Sequence, residues 1–244
     1  MLRAVAVVGF RKSGKTTVVE GLVQELVKRG YHVGTIKHIR EKEFSIDVPG
    51  KDTWRHAKAG ASAIVSLAPR ETATIMKRSV KLEDVMSALQ WLDFIILEGF
   101  RESKGIAKIA TPRTAEEAAK LVDKFTIACI RYGRRGLPVL KLDQVKELAD
   151  IVEEKALPVL PGLDCRRCEY PSCEEFALAV LQGKAKVEDC QPMHDLVSLR
   201  VDGRVIPLNP FVQDLIASTI RGMLSSLKGA KGKEFELRVR KHAR

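Results

Sequence analysis

Aromatic side chains are scarce in this chain: Phe, Tyr and Trp make up 5% of its residues. Proteins that hold single-stranded nucleic acid stack bases on such rings, so the scarcity argues against that class of binding. No apolar run approaches the ~18 residues that a membrane-spanning helix needs. The opening stretch, Met1 to Phe10, is apolar but short, is interrupted by Arg11 and Lys12, and precedes no cleavage-like site. It reads as a buried first strand, no membrane contact is expected, and a cytoplasmic location is. Neither an internal repeat nor a low-complexity tract occurs. Cysteines number only five, and in that compartment clustered thiols point to metal rather than to disulfides.

The 244 residues, 45% of them hydrophobic, allow one medium-sized domain with smaller appendages. The net charge of +11 is unevenly spread, because Arg221 to Arg244 carries eight Lys/Arg against two Glu. Such a tail suits an anionic or acidic partner, or is a solvated face; a nucleic-acid partner is not expected.

The first ~160 residues alternate β-branched runs with helical patterns, which is the signature of a sheet with crossover helices. Strands are expected over 4–8, 33–37, 62–66, 72–76, 94–97 and 125–130. Helices are expected over 15–29, 53–59, 82–92, 114–121 and 144–155. Pro158, Pro161 and Gly162 mark a linker into a cysteine segment, 163–192. Beyond it, Val197, Leu199 and Val201 alternate, Asp202-Gly203 suits a hairpin turn, and Val205–Leu208 returns. Asn209 and Pro210 then open a helix to about Leu227, and Phe235, Leu237 and Val239 alternate as a last strand. The expected fold class is therefore an α/β three-layer P-loop domain over 1–160. A four-cysteine module over 163–192 and a small ββαβ unit over 193–244 follow it.

The segment Gly9-Phe-Arg-Lys-Ser-Gly-Lys-Thr16 joins a strand to a helix with four residues between its glycines. Backbone N–H groups at such a helix start wrap a phosphate, and the helix dipole favours the negative charge. Gly9, Arg11, Lys12, Ser13, Gly14, Lys15, Thr16 and Thr17 are the expected nucleotide contacts. Lys15 reaches the β/γ-phosphates and Thr16 holds Mg²⁺ through its hydroxyl. Such a loop needs a carboxylate on a neighbouring strand, and Glu98, at the end of the apolar run Phe94–Leu97, supplies it. Asp47-Val-Pro-Gly-Lys51-Asp52 is either a polar turn before a helix or part of the site. Lys37 and His38, ending a strand, are equally open.

Together, Gly9–Thr17, Ile36-Lys37-His38, Asp47–Thr53 with Arg55, Ala59-Gly60-Ala61 and Leu97–Arg101 resemble the molybdopterin-guanine dinucleotide biosynthesis protein B family over about residues 3–155. The resemblance implies a dimeric, weakly hydrolysing protein that binds GTP. It would support the guanylyltransferase that attaches GMP to the molybdenum cofactor, with a molybdo- or tungsto-enzyme as a further candidate partner. It also implies Lys15 and Glu98 as the catalytic pair, Glu98 with Thr16 at Mg²⁺, and Asp47, Lys51 and Asp52 on the nucleotide or cofactor side. The sequence departs from a guanine-reading pattern at Leu140-Lys-Leu-Asp143, which lacks the initial Asn or Thr. Phe10 stands where related dimeric ATPases carry a signature lysine.

The other cysteines, Cys165, Cys168, Cys173 and Cys190, fall within 26 residues, whereas Cys129 lies alone in an apolar run. Three close thiolates and a distant fourth suit a [4Fe–4S] cluster, with zinc or free thiols as the alternatives. The segment is similar to the iron–sulfur domain of corrinoid iron–sulfur proteins and electron-transport ferredoxins, departing at Arg166 and at Glu169, where glycine is usual. The rival to the cofactor role is a P-loop ATPase that carries or inserts clusters.

Overall fold

The computed structural model describes all residues except 42, 194–196, 198, 202, 203, 207, 209, 230, 231, 233, 234, 238 and 240–244. For residues 204, 205 and 210 only the backbone is described. The chain divides into two compact units, 1–160 with 177–184, and 161–176 with 185–244.

The first unit begins with β1 (Arg3–Val8), α1 (Lys15–Lys28), β2 (Val33–Lys37) and α2 (Asp52–Lys58). A hairpin, β3 (Ala63–Leu67) and β4 (Thr72–Met76), leads to α3 (Leu82–Ala88). Then come β5 (Phe94–Glu98), β6 (Ala107–Ala110), α4 (Ala115–Leu121), β7 (Thr126–Ile130), β8 (Val139–Leu140), α5 (Val145–Lys155) and β9 (Leu157–Pro158). The main sheet runs β2-β5-β1-β6-β7-β8 with every neighbour on that path parallel, and β9 pairs antiparallel with the start of β1. Because the path is parallel, all six strands end on one edge.

Side chains alternate along the strands and divide two cores between the sheet's faces. Val5, Val7, Phe94, Ile96 and Ile109 meet Val18, Leu22 and Leu26 of α1 and Leu148 and Val152 of α5. Ala4, Ala6, Val8, Ile95 and Leu97 meet Met86 of α3 and Leu121 of α4. This is the expected three-layer arrangement.

Three strands of this sheet were not anticipated. β8 and β9 have two residues each, and β6 carries Lys108 in its middle. Lys108 is nonetheless buried, because its ammonium donates to Asp123 Oδ2 at 2.7 Å and to the Arg101 carbonyl at 2.8 Å. A lysine thus sits in a core strand once both partners are in place. The β3–β4 hairpin stands as a separate sheet and exposes Val65, Leu67 and Met76.

In the second unit, α6 (Cys173–Leu181) starts at a cysteine and its later turns count with the first unit. β10 (Leu199–Val201) and β11 (Arg204–Ile206) pair antiparallel, and α7 (Pro210–Ser225) follows. The Asp202-Gly203 turn and Asn209 lie outside the described residues. The anticipated last strand is not formed at Phe235, Leu237 or Val239, with Arg238 between them outside the described residues. No described helix is long and apolar enough to cross a membrane.

Candidate functional site

The phosphate loop sits where β1 hands over to α1. A Cβ on Gly9 would come within 2.2 Å of Thr111 Oγ1 and 2.3 Å of Ser13 Oγ. Glycine is therefore required by a close approach. Those two hydroxyls are themselves 2.7 Å apart, fully buried, and Thr111 also donates to the Val8 carbonyl at 3.1 Å. Lys12 and Gly14 adopt positive φ, +60° and +88°. Left-handed residues in such a loop turn successive N–H groups toward one concavity, an anion nest. Gly14 caps α1 without a side chain, so the first amides of that helix remain for a ligand.

The Lys15 ammonium donates to the Phe10 carbonyl at 2.6 Å. Burial holds its pKa below the usual lysine value; Glu98 opposes the shift, and Lys37 and Arg40 add to it. Thr16 Oγ1 donates to Glu98 Oε1 at 3.0 Å, and Lys37 Nζ lies 3.3 Å from the same oxygen. Sheet register causes this convergence, since Glu98 is opposite Val7 on one side and opposite Lys37 on the other. A hydroxyl beside a carboxylate is a hard-oxygen pair, and it fits Mg²⁺. Lys37, left open by the sequence, is thus a member of the site.

After Glu98 the chain turns through Gly99 and Phe100 at φ +95° and +52°. The Phe100 ring lies 5.3 Å from the His38 ring, and the Arg101 guanidinium lies 5.7 Å from the Phe10 ring centre. The Glu-Gly-Phe-Arg segment is thereby clasped to the phosphate loop. Arg11, Lys12 and Thr17 are exposed.

Asp47, Lys51 and Asp52 are arranged locally. Asp47 Oδ1 accepts from Thr53 Oγ1 at 2.8 Å and from the Val48 N–H at 2.9 Å, while its Oδ2 is buried without a partner. Asp52 pairs with Arg55 at 3.8 Å. Among the described residues, none of these three makes a hydrogen bond or ion pair with the phosphate loop. Sequence reasoning missed Thr111 and Arg131. Thr111 follows the unrecognised strand, and Arg131 bonds to Ser13, 118 positions away.

The second cluster lies in the second unit. Cys165, Cys168, Cys173 and Cys190 are all free thiols, Cys190 being buried. Burial chiefly pushes the Cys190 thiol up to about 11, with Cys168, Cys173 and Cys165 each adding to the shift. Among the described residues no three side chains are set to hold one metal ion. In a [4Fe–4S] cluster each thiolate binds its own iron, so four free thiols are by their chemistry a fitting donor set. Asp164, Arg166 and Glu169 have positive φ between +46° and +66°, and Asp164 Oδ1 accepts the Cys173 N–H at 2.7 Å. The usual glycine at position 169 has a physical reason in that backbone.

Residues 4–131 match the family model described as Molybdopterin guanine dinucleotide synthesis protein B, more than half of the chain. A Methanocaldococcus jannaschii protein described as "Putative molybdopterin-guanine dinucleotide biosynthesis adapter protein" is 32% identical, over 93% of both chains. This chain belongs to the molybdopterin-guanine dinucleotide synthesis protein B family. The Escherichia coli adapter protein of that name is 31% identical over 63% of this chain and 93% of its own length. The crystal structure of the Bacillus subtilis family member superposes with a TM-score of 0.55 at 26% identity, covering 64% of this chain and 99% of that one. Residues 160–192 match a second model, "Putative Fe-S cluster", so family and module meet in one chain as the sequence led us to expect.

Proposed function

We propose that this protein binds GTP with Mg²⁺ at the phosphate loop, in support of guanine dinucleotide attachment to the molybdenum (or tungsten) cofactor. We propose in addition that it carries a [4Fe–4S] cluster on Cys165, Cys168, Cys173 and Cys190. The carrying observation is Thr16 beside Glu98, next to a phosphate loop, in a chain that matches an adapter protein over nearly its whole length. Lys15 neutralises the terminal phosphates, the amides after Gly14 hold them, and Thr16 and Glu98 hold the Mg²⁺. The ion, when bound, offsets charge on the phosphate oxygens. Asp47, Lys51 and Asp52 line the nucleotide or cofactor side, and the Oδ2 of Asp47, buried without a partner, is an unpaired acceptor there. Arg11, Lys12, Lys51 and Arg101 exceed what one Mg²⁺–triphosphate needs and suit a second anionic group. Hydrolysis is slow, the working form is a dimer in the cytoplasm, and the partner is the guanylyltransferase.

The four cysteines favour one rival, an ATPase that carries or inserts clusters. One experiment separates the two: the yield of guanine dinucleotide cofactor with the guanylyltransferase, in the presence of wild type or of Lys15→Ala. A higher yield with wild type is expected. Equal yields, with ATP bound more tightly than GTP, would establish the rival.

A further inference from the structure

We infer that Arg131 is the nucleoside-side contact of the phosphate loop, its guanidinium placed to take the face of a purine base. The inference rests on the proposal that this loop binds a nucleotide. Strand order sets the direction. Glu98 and Lys37 end β5 and β2, on one side of β1, whereas Arg131 directly follows β7, on the other. Lys15, Thr16 and Glu98 mark where the terminal phosphates and Mg²⁺ lie. The remainder of the nucleotide, ribose and base, therefore runs toward the ends of β7 and β8.

The local geometry agrees. Arg131 Nη1 donates to the Ser13 carbonyl at 3.1 Å. A Cβ on Gly14 would be 3.6 Å from Arg131 Nη2 and 3.8 Å from Leu142 Cδ2. Guanidinium and methyl thus flank the loop together, one a planar cation and the other apolar. Arg131 itself sits at φ +72°, a conformation that a non-glycine residue keeps only where its surroundings enforce it. Here its N–H donates to the Leu140 carbonyl at 2.8 Å, which ties it to the end of β8. The bond to Ser13 fixes the guanidinium before any ligand arrives, and a fixed guanidinium plane stacks well on an aromatic face.

This contact reads a ring face rather than a ring edge. It accounts for purine binding by a sequence without the Asn/Thr-Lys-x-Asp guanine reader, and it leaves guanine and adenine undistinguished at this position.

The test compares GTP, ATP and inorganic tripolyphosphate, each with Mg²⁺, on wild type, Arg131→Ala and Arg131→Lys by titration calorimetry. Arg131→Ala should weaken GTP and ATP alike by about tenfold, the order of one lost base stack. Its tripolyphosphate affinity should change less than about twofold, which also shows that the loop remains intact. Arg131→Lys keeps a donor for Ser13 but loses the plane, so GTP affinity should still fall several-fold. Equal losses for GTP and tripolyphosphate would reduce Arg131 to a brace for the loop, and unchanged GTP affinity would remove it from the site; either overturns the inference. Wild type that binds tripolyphosphate but no nucleotide would overturn the nucleotide proposal itself.

Discussion

The phosphate loop and the cysteine cluster are built in opposite ways. The loop site gathers Ser13, Lys37, Glu98, Thr111 and Arg131 from five separate strand ends, and backbone register decides which side chains meet. The cysteines fall within 26 residues, on a segment whose backbone takes positive φ at Asp164, Arg166 and Glu169. A site made by a sheet is rigid without its ligand, because the core that positions it is already paid for by burial. One made by turns gains much of its order from the ions it binds. The loop site should therefore lose function in graded steps, and the cysteine site should lose it all at once.

The largest expected effect is at the cysteines. Anaerobically prepared wild type should contain about four irons and four sulfides per chain. Cys190→Ala should lose or convert that cluster, whereas the isolated, buried Cys129→Ala should keep it, as iron and sulfide analysis will show. Stoichiometric zinc without sulfide would sink the iron–sulfur reading.

Next comes Lys15→Ala. A charge-assisted contact to phosphate is worth about 1.5–3 kcal/mol, so GTP affinity should fall at least about tenfold while the melting temperature is kept. Calorimetry with GTP and ATP provides the check, and unchanged affinity for both would be fatal to the assignment.

Ser13→Ala should cost less. It removes the buried bond to Thr111, but Thr111 keeps the Val8 carbonyl as a partner. A loss of about 1 kcal/mol in denaturant unfolding is expected; a loss several times larger would mean that the loop's hydroxyl pair supports the whole edge.

The smallest effect should come from crossing the two sites. Bleaching the cluster in air should alter GTP affinity by less than about twofold, read by repeating the titration before and after exposure. A larger change would show that the sites are coupled and that the contrast between them is incomplete.

What the sequence showed, and what it hid, follows the same division. The strand, loop and helix around Gly9–Thr16 were legible because motif and periodicity are contiguous there. The cysteines were legible from their spacing alone. Glu98 was legible because an apolar run ends on it. Thr111 was not, because Lys108 disguises the strand before it, and that lysine becomes tolerable only once Asp123 is near. Arg131 was hidden for another reason: its role depends on strand order, which no local pattern records. The hydrophobic alternation at Phe235, Leu237 and Val239 misled, since alternation shows that a strand is possible and not that a neighbour is there to pair with it.

The crowding at Gly9 limits the routes by which this loop can change. An added methyl group there meets two oxygens at once, one in the loop and one just past a strand about a hundred residues later. Making room for it needs Ser13 and Thr111 to shrink or shift together, and trimming either alone leaves the other in the way. A side chain at position 9 therefore requires changes at positions 13 and 111 with it: substitution of Gly9 alone meets a barrier, and a Thr111 lying outside the loop motif helps to hold the motif in place.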